Sequence, residues 1–523
     1  MGIVVQSGSI NTQSLLAPNV IVQIQPPSVL AINGVPSNII GVVGSAQWGL
    51  KNSPVIVGNM NEYAQNFGFP QPILHDMGTA VFAATLNLAS SFICVRVTDG
   101  TDTAAAVPIV DVTTPTHVTG FTATGIYTGT LGNSINVTVS AGSALNTFRV
   151  TVSLPSNLSA GLTPEIFDNI PGTGLPLWQN IVNAINMGQS GVRGPSNLII
   201  ATIGTATAAP ALASYTLVGG TNGGIVTTAN LIGTDVSPRT GMYTLRGTQS
   251  SVAMLTDLSD SASYAEQVSF GISEGVFIHL VGPPGQTLSA AKTAKDTIGI
   301  DNYDAKFLIG DWCYILDTFN GGITRLISPQ GFACGRKSNL AANRSALNKP
   351  ILGIVGTQTT QSGGSYSNPD IVFLCDNGMD VIYNPSPGGN YFSLQTGQNT
   401  SSNILIRMDA YTTLTNYLAY SIAGALGGYI GQLQTPTIRN NAKSSLYNFL
   451  YGLFQQGFIG DVNFPNEFSK AVSIVLNDTN NPETSVALGY MQADIQIVDY
   501  SVIRNFIVNL QNGQPSLQST IPA

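Results

Sequence analysis

Charged side chains are scarce in this sequence. Asp, Glu, Lys and Arg make up only 9% of its 523 residues, against roughly 25% in an ordinary soluble domain. The formal net charge is −8, and no basic stripe of the kind that contacts phosphates is present, so we expect no nucleic-acid partner. Because hydrophobic residues reach 43%, the surface must consist mainly of Ser, Thr, Asn, Gln and Gly. Such a neutral polar surface favours a chain that assembles with its neighbours.

Cysteine is also rare. The sequence has four, with no CxxC spacing and long separations, namely Cys94, Cys313, Cys334 and Cys375. This is not the framework of a small disulfide-rich domain. The pattern favours free thiols in a reducing cytoplasm, although spacing alone leaves open whether any pair lies within disulfide reach.

The residues that usually carry catalysis or bind metals are few and scattered. The three histidines, His75, His117 and His279, form no HExxH, HxH or Cys/His cluster, and no GxSxG nucleophile elbow is present. The strings LVGGTNGG and LVGPPG lack the Lys-Ser/Thr of a phosphate-binding loop. We therefore expect no metal, no cofactor and no enzymatic activity. Spacing leaves paired acid/base chemistry open for the carboxylates Asp257, Asp260, Asp301, Asp304 and Asp311.

Export and membrane signals are weak. The first charged residue is Lys51, so the N-terminus has no basic region of a secretory leader. The uncharged stretch between Asp409 and Arg439 is interrupted by polar residues and glycines and has no basic flanks. It favours a buried helix over a membrane span.

Hydrophobic periodicity predicts an α+β multidomain fold. Apolar runs at 37–45 and 91–97 predict strands, and helices are expected near 76–89, 178–187, 409–432 and 438–456. Alternating strand-like and helix-like segments predict an α/β domain with a largely parallel sheet. The predicted parts are an N-terminal extended arm (1–30), an N-terminal domain (31–99), an inserted β-rich outer domain (100–218), the α/β domain (219–345), a C-terminal α+β domain (346–490) and a C-terminal strand arm (491–523).

Both ends of the chain have strand patterns without an adjacent hairpin partner. Val20, Val22 and Ile24 share one face of NVIVQIQ, and Val502, Phe506 and Val508 share one face near the C-terminus. Unpaired strands expose backbone groups that need partners. We expect these arms to add to a sheet in a neighbouring subunit; pairing within one chain is the alternative.

Several strings, in the same order, resemble the tail sheath family of contractile phages. They include PSNIIGVVGSAQWG, NEYAQNFG, GTLGNSINVTV, YTLVGGTNG, GGNYFSLQTGQNTS and YTTLTNYLAYSIAGALGGYIGQLQTPTIRNNAKSSLYNFLYGL. The resemblance implies a structural subunit that polymerises as stacked hexameric rings around a tail tube and contracts to drive the tube through the host envelope. Its implied partners are further copies of itself, the tail tube protein, and baseplate and neck or terminator proteins. The implied location is the tail sheath of the virion, with assembly in the host cytoplasm.

The resemblance also implies particular details. The family's α/β domain is subtilisin-like, yet no triad is identifiable here, and a fold does not carry a function without its site. A particle-associated hydrolase with that domain is the alternative function. The family grips its tube with the C-terminal domain, where Arg439 and Lys443 are spaced i, i+4 on one predicted helix. We expect them to contact the tube, or else to form an ordinary helix surface.

Overall fold

The computed structural model describes residues 3–5, 21–23, 31–510 and 512. Its strands are β1 (Ile3–Val5), β2 (Ile21–Gln23), β3 (Ile40–Gly44), β4 (Pro54–Val57), β5 (Phe92–Arg96), β6 (Ala106–Val110), β7 (Thr119–Gly125), β8 (Asn136–Ala141), β9 (Phe148–Ser153), β10 (Glu165–Ile170), β11 (Ile199–Ile203), β12 (Ser214–Thr216), β13 (Val252–Leu255), β14 (Phe277–Val281), β15 (Ala305–Leu308), β16 (Cys313–Asp317), β17 (Ile323–Ile327), β18 (Ile354–Thr357), β19 (Ile382–Tyr383), β20 (Ser393–Leu394), β21 (Val472–Val475) and β22 (Asp494–Ile497).

Its helices are α1 (Met60–Phe67), α2 (Met77–Thr85), α3 (Gly174–Met187), α4 (Thr228–Ile232), α5 (Tyr264–Glu274), α6 (Leu288–Ile298), α7 (Gln330–Ser338), α8 (Gln358–Gln361), α9 (Asn368–Asp376), α10 (Asp409–Leu426), α11 (Pro436–Gln455), α12 (Phe468–Ala471) and α13 (Glu483–Ala487). The chain forms two compact units. We call residues 34–420 the body, and residues 1–33 with 421–523 the terminal unit. The predicted mixed α/β multidomain class is confirmed.

A six-stranded sheet lies at the centre of the body. Its strand order is β15-β14-β13-β3-β5-β4, and every neighbouring pair is parallel except β4 with β5. The prediction placed 31–99 and 219–345 in separate domains, but the structure pairs β3 from the first segment with β13 from the second. The five parallel strands are buried along their whole length. Burial on both faces explains their nearly continuous apolar sequences.

Alternate residues of these strands face two different cores. Val42, Cys94 and Met254 pack with α1 and α2 in one core, which Cys334 of α7 also joins. Their neighbours Val43, Val95 and Leu255 pack with α5 and α6 in the other. This is the period of two that a strand imposes on its side chains. The sheet is therefore covered by helices on both faces.

Helices α2 and α7 pack unusually closely, and glycine permits this contact. A Cβ atom on Gly335 would lie 2.5 Å from Cα of Ala84, and one on Gly331 would lie 2.7 Å from the carbonyl oxygen of Ala80. Both distances are too short for a side chain to fit without moving the backbone. The small residues of α2 and α7 thus determine how near the two helices approach.

Residues 106–216 form two antiparallel sheets, which we call the inserted β domain. The strand orders are β10-β9-β8-β12 and β11-β7-β6, and α3 packs on both sheets. Trp178 of α3 is fully buried beside Phe121, and its indole N–H donates to the carbonyl oxygen of Ala208. Trp48 also packs in this core although it precedes the domain in sequence. The inserted β domain therefore shares its core with a residue from the N-terminal segment.

A buried ion pair joins β15 to the segment around β19 and β20. Lys306 Nζ lies 2.7 Å from Asp380 Oδ2, and both side chains have no exposed surface. The same carboxylate accepts hydrogen bonds from the backbone N–H groups of 381, 395, 396 and 397. Lys306 also donates to the carbonyl oxygen of Gln398. One buried charge pair thus fixes the path of the chain that leads from β20.

The terminal unit contains two small sheets. β21 and β22 form an antiparallel pair, and α11 and α12 lie against β21. β1 and β2 form a parallel pair. A small core forms around Tyr429, Ala442 and Leu476. The predicted C-terminal domain began at residue 346, but residues 346–420 belong to the body, because their strands pair with β16 and with one another.

Candidate assembly surfaces

The three histidines bond to backbone carbonyl groups. Nδ1 of His75 lies 2.7 Å from the oxygen of Thr256, and Nδ1 of His117 lies 2.8 Å from that of Asp111. His279 is fully buried, and burial lowers its pKa to about 3. A Ser-His-Asp triad needs a histidine that bonds both a serine hydroxyl and a carboxylate. These ring contacts do not supply that geometry.

Two acidic side chains, the buried Asp76 and the half-buried Asp257, form an acidic cluster at the carboxyl ends of β3 and β13, where ligands of open α/β sheets often bind. Burial raises the pKa of Asp76 to about 7 and that of Asp257 to about 6, and the charge of Arg325 opposes both shifts. Asp76 Oδ2 caps α2 by accepting from the N–H and hydroxyl of Thr79. The cavity beside Thr256 and Asp257 measures only about 10 Å³. A space of that size holds a water molecule at most, so the cluster is not an open substrate site.

The four cysteines are free thiols in the structure. Cys94, Cys313 and Cys334 are buried, and burial raises the pKa of each. Across residues 3–5, 21–23, 31–510 and 512, no group of three His, Cys, Asp or Glu side chains could hold a metal ion. Within the same residues, each helix is too short or too polar to cross a bilayer.

The described part of the N-terminal arm pairs within its own chain. β1 and β2 align in parallel, with Val4 opposite Val22. The prediction that this strand lacks a partner in its chain is therefore wrong for Val22. Val20 and Ile24 lie outside the described residues. Exchange of the arm with a neighbouring subunit stays a prediction.

The C-terminal arm has two parts. Residues 494–497 form β22 and pair with β21, so the prediction of an unpaired strand is wrong for this part. Residues 498–510 contain no helix or strand. Phe506 is 83% exposed and Val508 is 68% exposed, whereas Val502 is half-buried. Within the described residues, this second part therefore carries several exposed apolar side chains.

The pair β21–β22 has two outer edges without a third strand in the described residues. A two-stranded sheet is marginally stable by itself and gains stability from added strands. An apolar groove of about 490 Å³ lies beside it and is lined by residues that include Leu426, Ile438, Leu446, Met491 and Ile495. Sequence reasoning missed β21, although the alternation in AVSIVL was a signal for it. Open strand edges beside an apolar groove are suited to binding an extended segment.

The two predicted tube-contact residues differ in their surroundings. Arg439 and Lys443 both lie on α11. Arg439 is ion-paired with Asp478, whose side chain is almost fully exposed. Lys443 is exposed. The structure therefore places the exposed positive charge on Lys443, and it adds Asp478, which sequence reasoning did not identify.

Solved structures that match this chain include sheath proteins of contractile machines. The sheath tail protein of Listeria innocua matches with a TM-score of 0.60 and 14% identity over 90% of this chain and 96% of that chain. The sheath tail protein of Desulfitobacterium hafniense matches with a TM-score of 0.57 and 13% identity over 88% of this chain and 93% of that chain. The contracted helical sheath of the anti-feeding prophage matches with a TM-score of 0.53 and 11% identity over 95% of this chain and 99% of that chain. No family profile and no curated protein sequence matches.

This chain has the fold of contractile tail sheath proteins. The resemblance identified in its sequence strings is confirmed at that level. The matches extend over nearly the whole chain, so both the body and the terminal unit are included in them. At these low identities the likeness defines the fold.

Proposed function

We propose that this chain is the structural subunit of a contractile phage tail sheath. It polymerises as stacked hexameric rings around a tail tube and contracts to drive the tube through the host envelope. The observation that carries this proposal is the terminal unit, which combines open strand edges on β21–β22 with exposed apolar side chains on residues 503–510. The sheath fold supports the same reading.

The arms supply the links between subunits. A strand from one subunit that adds to β21 or β22 of the next joins two different surfaces, so the contact is head-to-tail and propagates into a helix. The residues that we assign to these arms are Val20, Val22, Ile24, Val502, Phe506 and Val508. Backbone pairing is retained while the bodies rotate, which allows two packings of the same subunits.

The remaining parts of the chain take roles around this polymer. The α/β body is a subtilisin-like domain without a triad and is not enzymatic, and the inserted β domain faces outward. The C-terminal part of the chain, with Arg439 and Lys443 on α11, faces the tube. Partners are further copies of the chain, the tail tube protein, and baseplate and neck or terminator proteins. The subunit assembles in the host cytoplasm, works in the virion tail during genome ejection and needs no cofactor.

Negative-stain microscopy of the purified full-length chain tests the proposal. We expect long striated tubes at high protein concentration, because the head-to-tail contact has no closed end point. Bovine serum albumin at the same concentration controls for staining artefacts. Monodisperse particles at every concentration would rule out self-assembly as the function.

A charge reversal tests the tube contact. We expect Lys443→Glu to weaken attachment of sheath to tube about tenfold while polymers of sheath alone still form, because the change leaves the strand arms intact. Co-sedimentation of sheath with purified tubes measures the effect. Lys292→Glu, on an exposed helix of the body, is the matched control. Equal binding by both variants would show that Lys443 is an ordinary surface residue.

A further inference from the structure

Several asparagine and glutamine side chains in this structure each form two hydrogen bonds with the backbone of one other residue. In each case the side-chain oxygen accepts from the N–H of one residue, and the side-chain NH₂ donates to the carbonyl oxygen of that same residue. In a sheet, a neighbouring β-strand would form hydrogen bonds with the same backbone N–H and carbonyl groups. We call this pair of side-chain hydrogen bonds an amide clip. The clips are Asn87 on Leu352, Asn133 on Gly220, Asn186 on Ala201, Gln189 on Asp168 and Asn481 on Gln492.

One clip covers the outer edge of β11 in the inserted β domain. Asn186 Nδ2 lies 2.8 Å from the carbonyl oxygen of Ala201, and the N–H of Ala201 lies 2.9 Å from Asn186 Oδ1. β11 pairs with β7 on its other side only. The N–H of Ile199 is bound by the hydroxyl of Ser196. Side chains from its own domain therefore occupy backbone groups of β11 that a further strand would use.

A second clip covers β10, the edge strand of the other sheet. The N–H of Asp168 lies 3.1 Å from Gln189 Oε1, and Gln189 Nε2 lies 2.6 Å from the carbonyl oxygen of Asp168. Asp168 lies in a bulge together with Asn169, which has a φ of +56°. Bulges and blocked groups are common protections for edge strands. One edge strand of each sheet, β11 and β10, thus carries an amide clip close to the end of α3.

The edge of β11 would otherwise attract a copy of itself. Its sequence, IIATI, has no charge, and Ile200 and Ile203 are exposed. Because the strand is uncharged, no electrostatic repulsion would oppose an antiparallel pair between two copies of β11. By contrast, no amide clip binds β21 or β22 in the part of the chain that the structure describes. The protected and the open strand edges therefore lie in different parts of the molecule.

We propose that Asn186 and Gln189 prevent the inserted β domain from pairing, edge to edge, with the same domain of a second copy. The consequence for sheaths rests on the proposed function: strand exchange is restricted to the terminal unit, and finished sheaths do not fuse side by side. The blocked contacts would be an antiparallel pair between two β11 strands, prevented by Asn186, and one between two β10 strands, prevented by Gln189. Such a pair is symmetric, so it closes as a dimer.

The first experiment compares full-length variants by analytical ultracentrifugation under conditions where the parent chain is unpolymerised. We expect the double variant Asn186→Ala with Gln189→Ala to self-associate with a constant about tenfold higher than that of the parent chain. Asn183→Ala, an exposed residue of the same helix, is the matched control and should leave association unchanged. Where sheaths form, micrographs of the double variant should show them bundled.

A synthetic peptide with the sequence of residues 198–204 identifies the edge involved. It should bind the double variant, compete with its dimerisation and not bind the parent chain. The single variant Asn186→Ala tests the clip on β11 with less disturbance to the fold, because Gln189 still binds the backbone of Asp168. We expect its association constant to rise by a smaller factor, which gives a result even if the double variant does not fold.

Hydrogen exchange of the backbone amides of Ala201 and Asp168 shows whether the substitutions have freed the strand edges. This measurement allows a lack of association to be interpreted. If both amides exchange freely in the variants while association and peptide binding match the parent, the edges do not pair and the proposal is wrong. If both amides stay protected in the double variant at concentrations where it is monomeric, the clips do not cover the edges and the proposal is also wrong. Association, peptide binding and hydrogen exchange need no sheath, so a parent chain that never forms tubes would overturn the proposed function alone.

Discussion

Removal of residues 1–27 is expected to abolish polymerisation and leave a soluble, folded body. The truncation deletes β1 and β2, whereas the body forms its own cores from residues 34–420. Without the N-terminal arm, each subunit lacks one of the strands that we propose to join it to the next. Microscopy should show no tubes at concentrations where the intact chain forms them. Tryptophan fluorescence reports the fold, because Trp48, Trp178 and Trp312 all lie in the body.

A chain of unchanged length provides the control for that truncation. Replacement of residues 1–27 by a Gly/Ser segment retains the bulk of the arm but removes its strand pattern. We expect this variant also to fail to polymerise, since it cannot pair as a strand. Normal tubes from either variant would show that the N-terminal arm is not needed to link subunits. The proposed strand exchange by this arm would then be refuted.

Asp380→Ala should lower the free energy of unfolding of the body by about 3–5 kcal/mol, because it leaves Lys306 as a buried charge without its partner. The change also removes the acceptor for backbone N–H groups at 381 and 395–397. Lys306→Met should be less severe, because those N–H groups still hold the carboxylate. Urea denaturation gives the stability, and hydrogen exchange at residues 395–397 shows whether this segment opens first.

The exposed pair Lys292–Asp296 is the matched control for the buried pair. It lies on one helix with both side chains about half exposed, and such pairs contribute roughly 0.3–0.5 kcal/mol. Asp296→Ala should therefore change stability far less than Asp380→Ala does. Similar losses for the two variants would contradict a special role for the buried pair.

Local patterns in the sequence predicted the elements better than their pairing. The apolar run at 37–45 and the string SFICVRV became β3 and β5, and the two helices expected after residue 409 became α10 and α11. The pairing of β3 with β13 was not predicted, because the inserted β domain lies between them in sequence. Local periodicity does not indicate which distant strands pair. For the same reason no pattern revealed the Lys306–Asp380 pair.

The candidate site was predicted less completely than the fold. Apolar alternation predicted both arms as extended segments. It could not show that residues 494–497 pair with β21 in the same chain. Helical spacing placed Arg439 and Lys443 on one face, but Asp478, which pairs with Arg439, lies in a loop with no periodic signal. The amide clips were invisible, since an asparagine that binds a distant backbone looks like any other polar residue.

The position of β3 in the central sheet has a consequence for synthesis. β3 pairs with β5 soon after it is made, but its partner on the other side, Val252 of β13, is 212 residues further along than Ile40 (252 − 40). At about 5–20 residues per second, the ribosome needs roughly 10–40 s to supply that stretch. The inserted β domain can fold during this interval, because its strands are contiguous in sequence. Until β13 is made, the backbone N–H and carbonyl groups on that edge of β3 have no strand partner, which makes this the stage of synthesis at which pairing with another chain competes with folding.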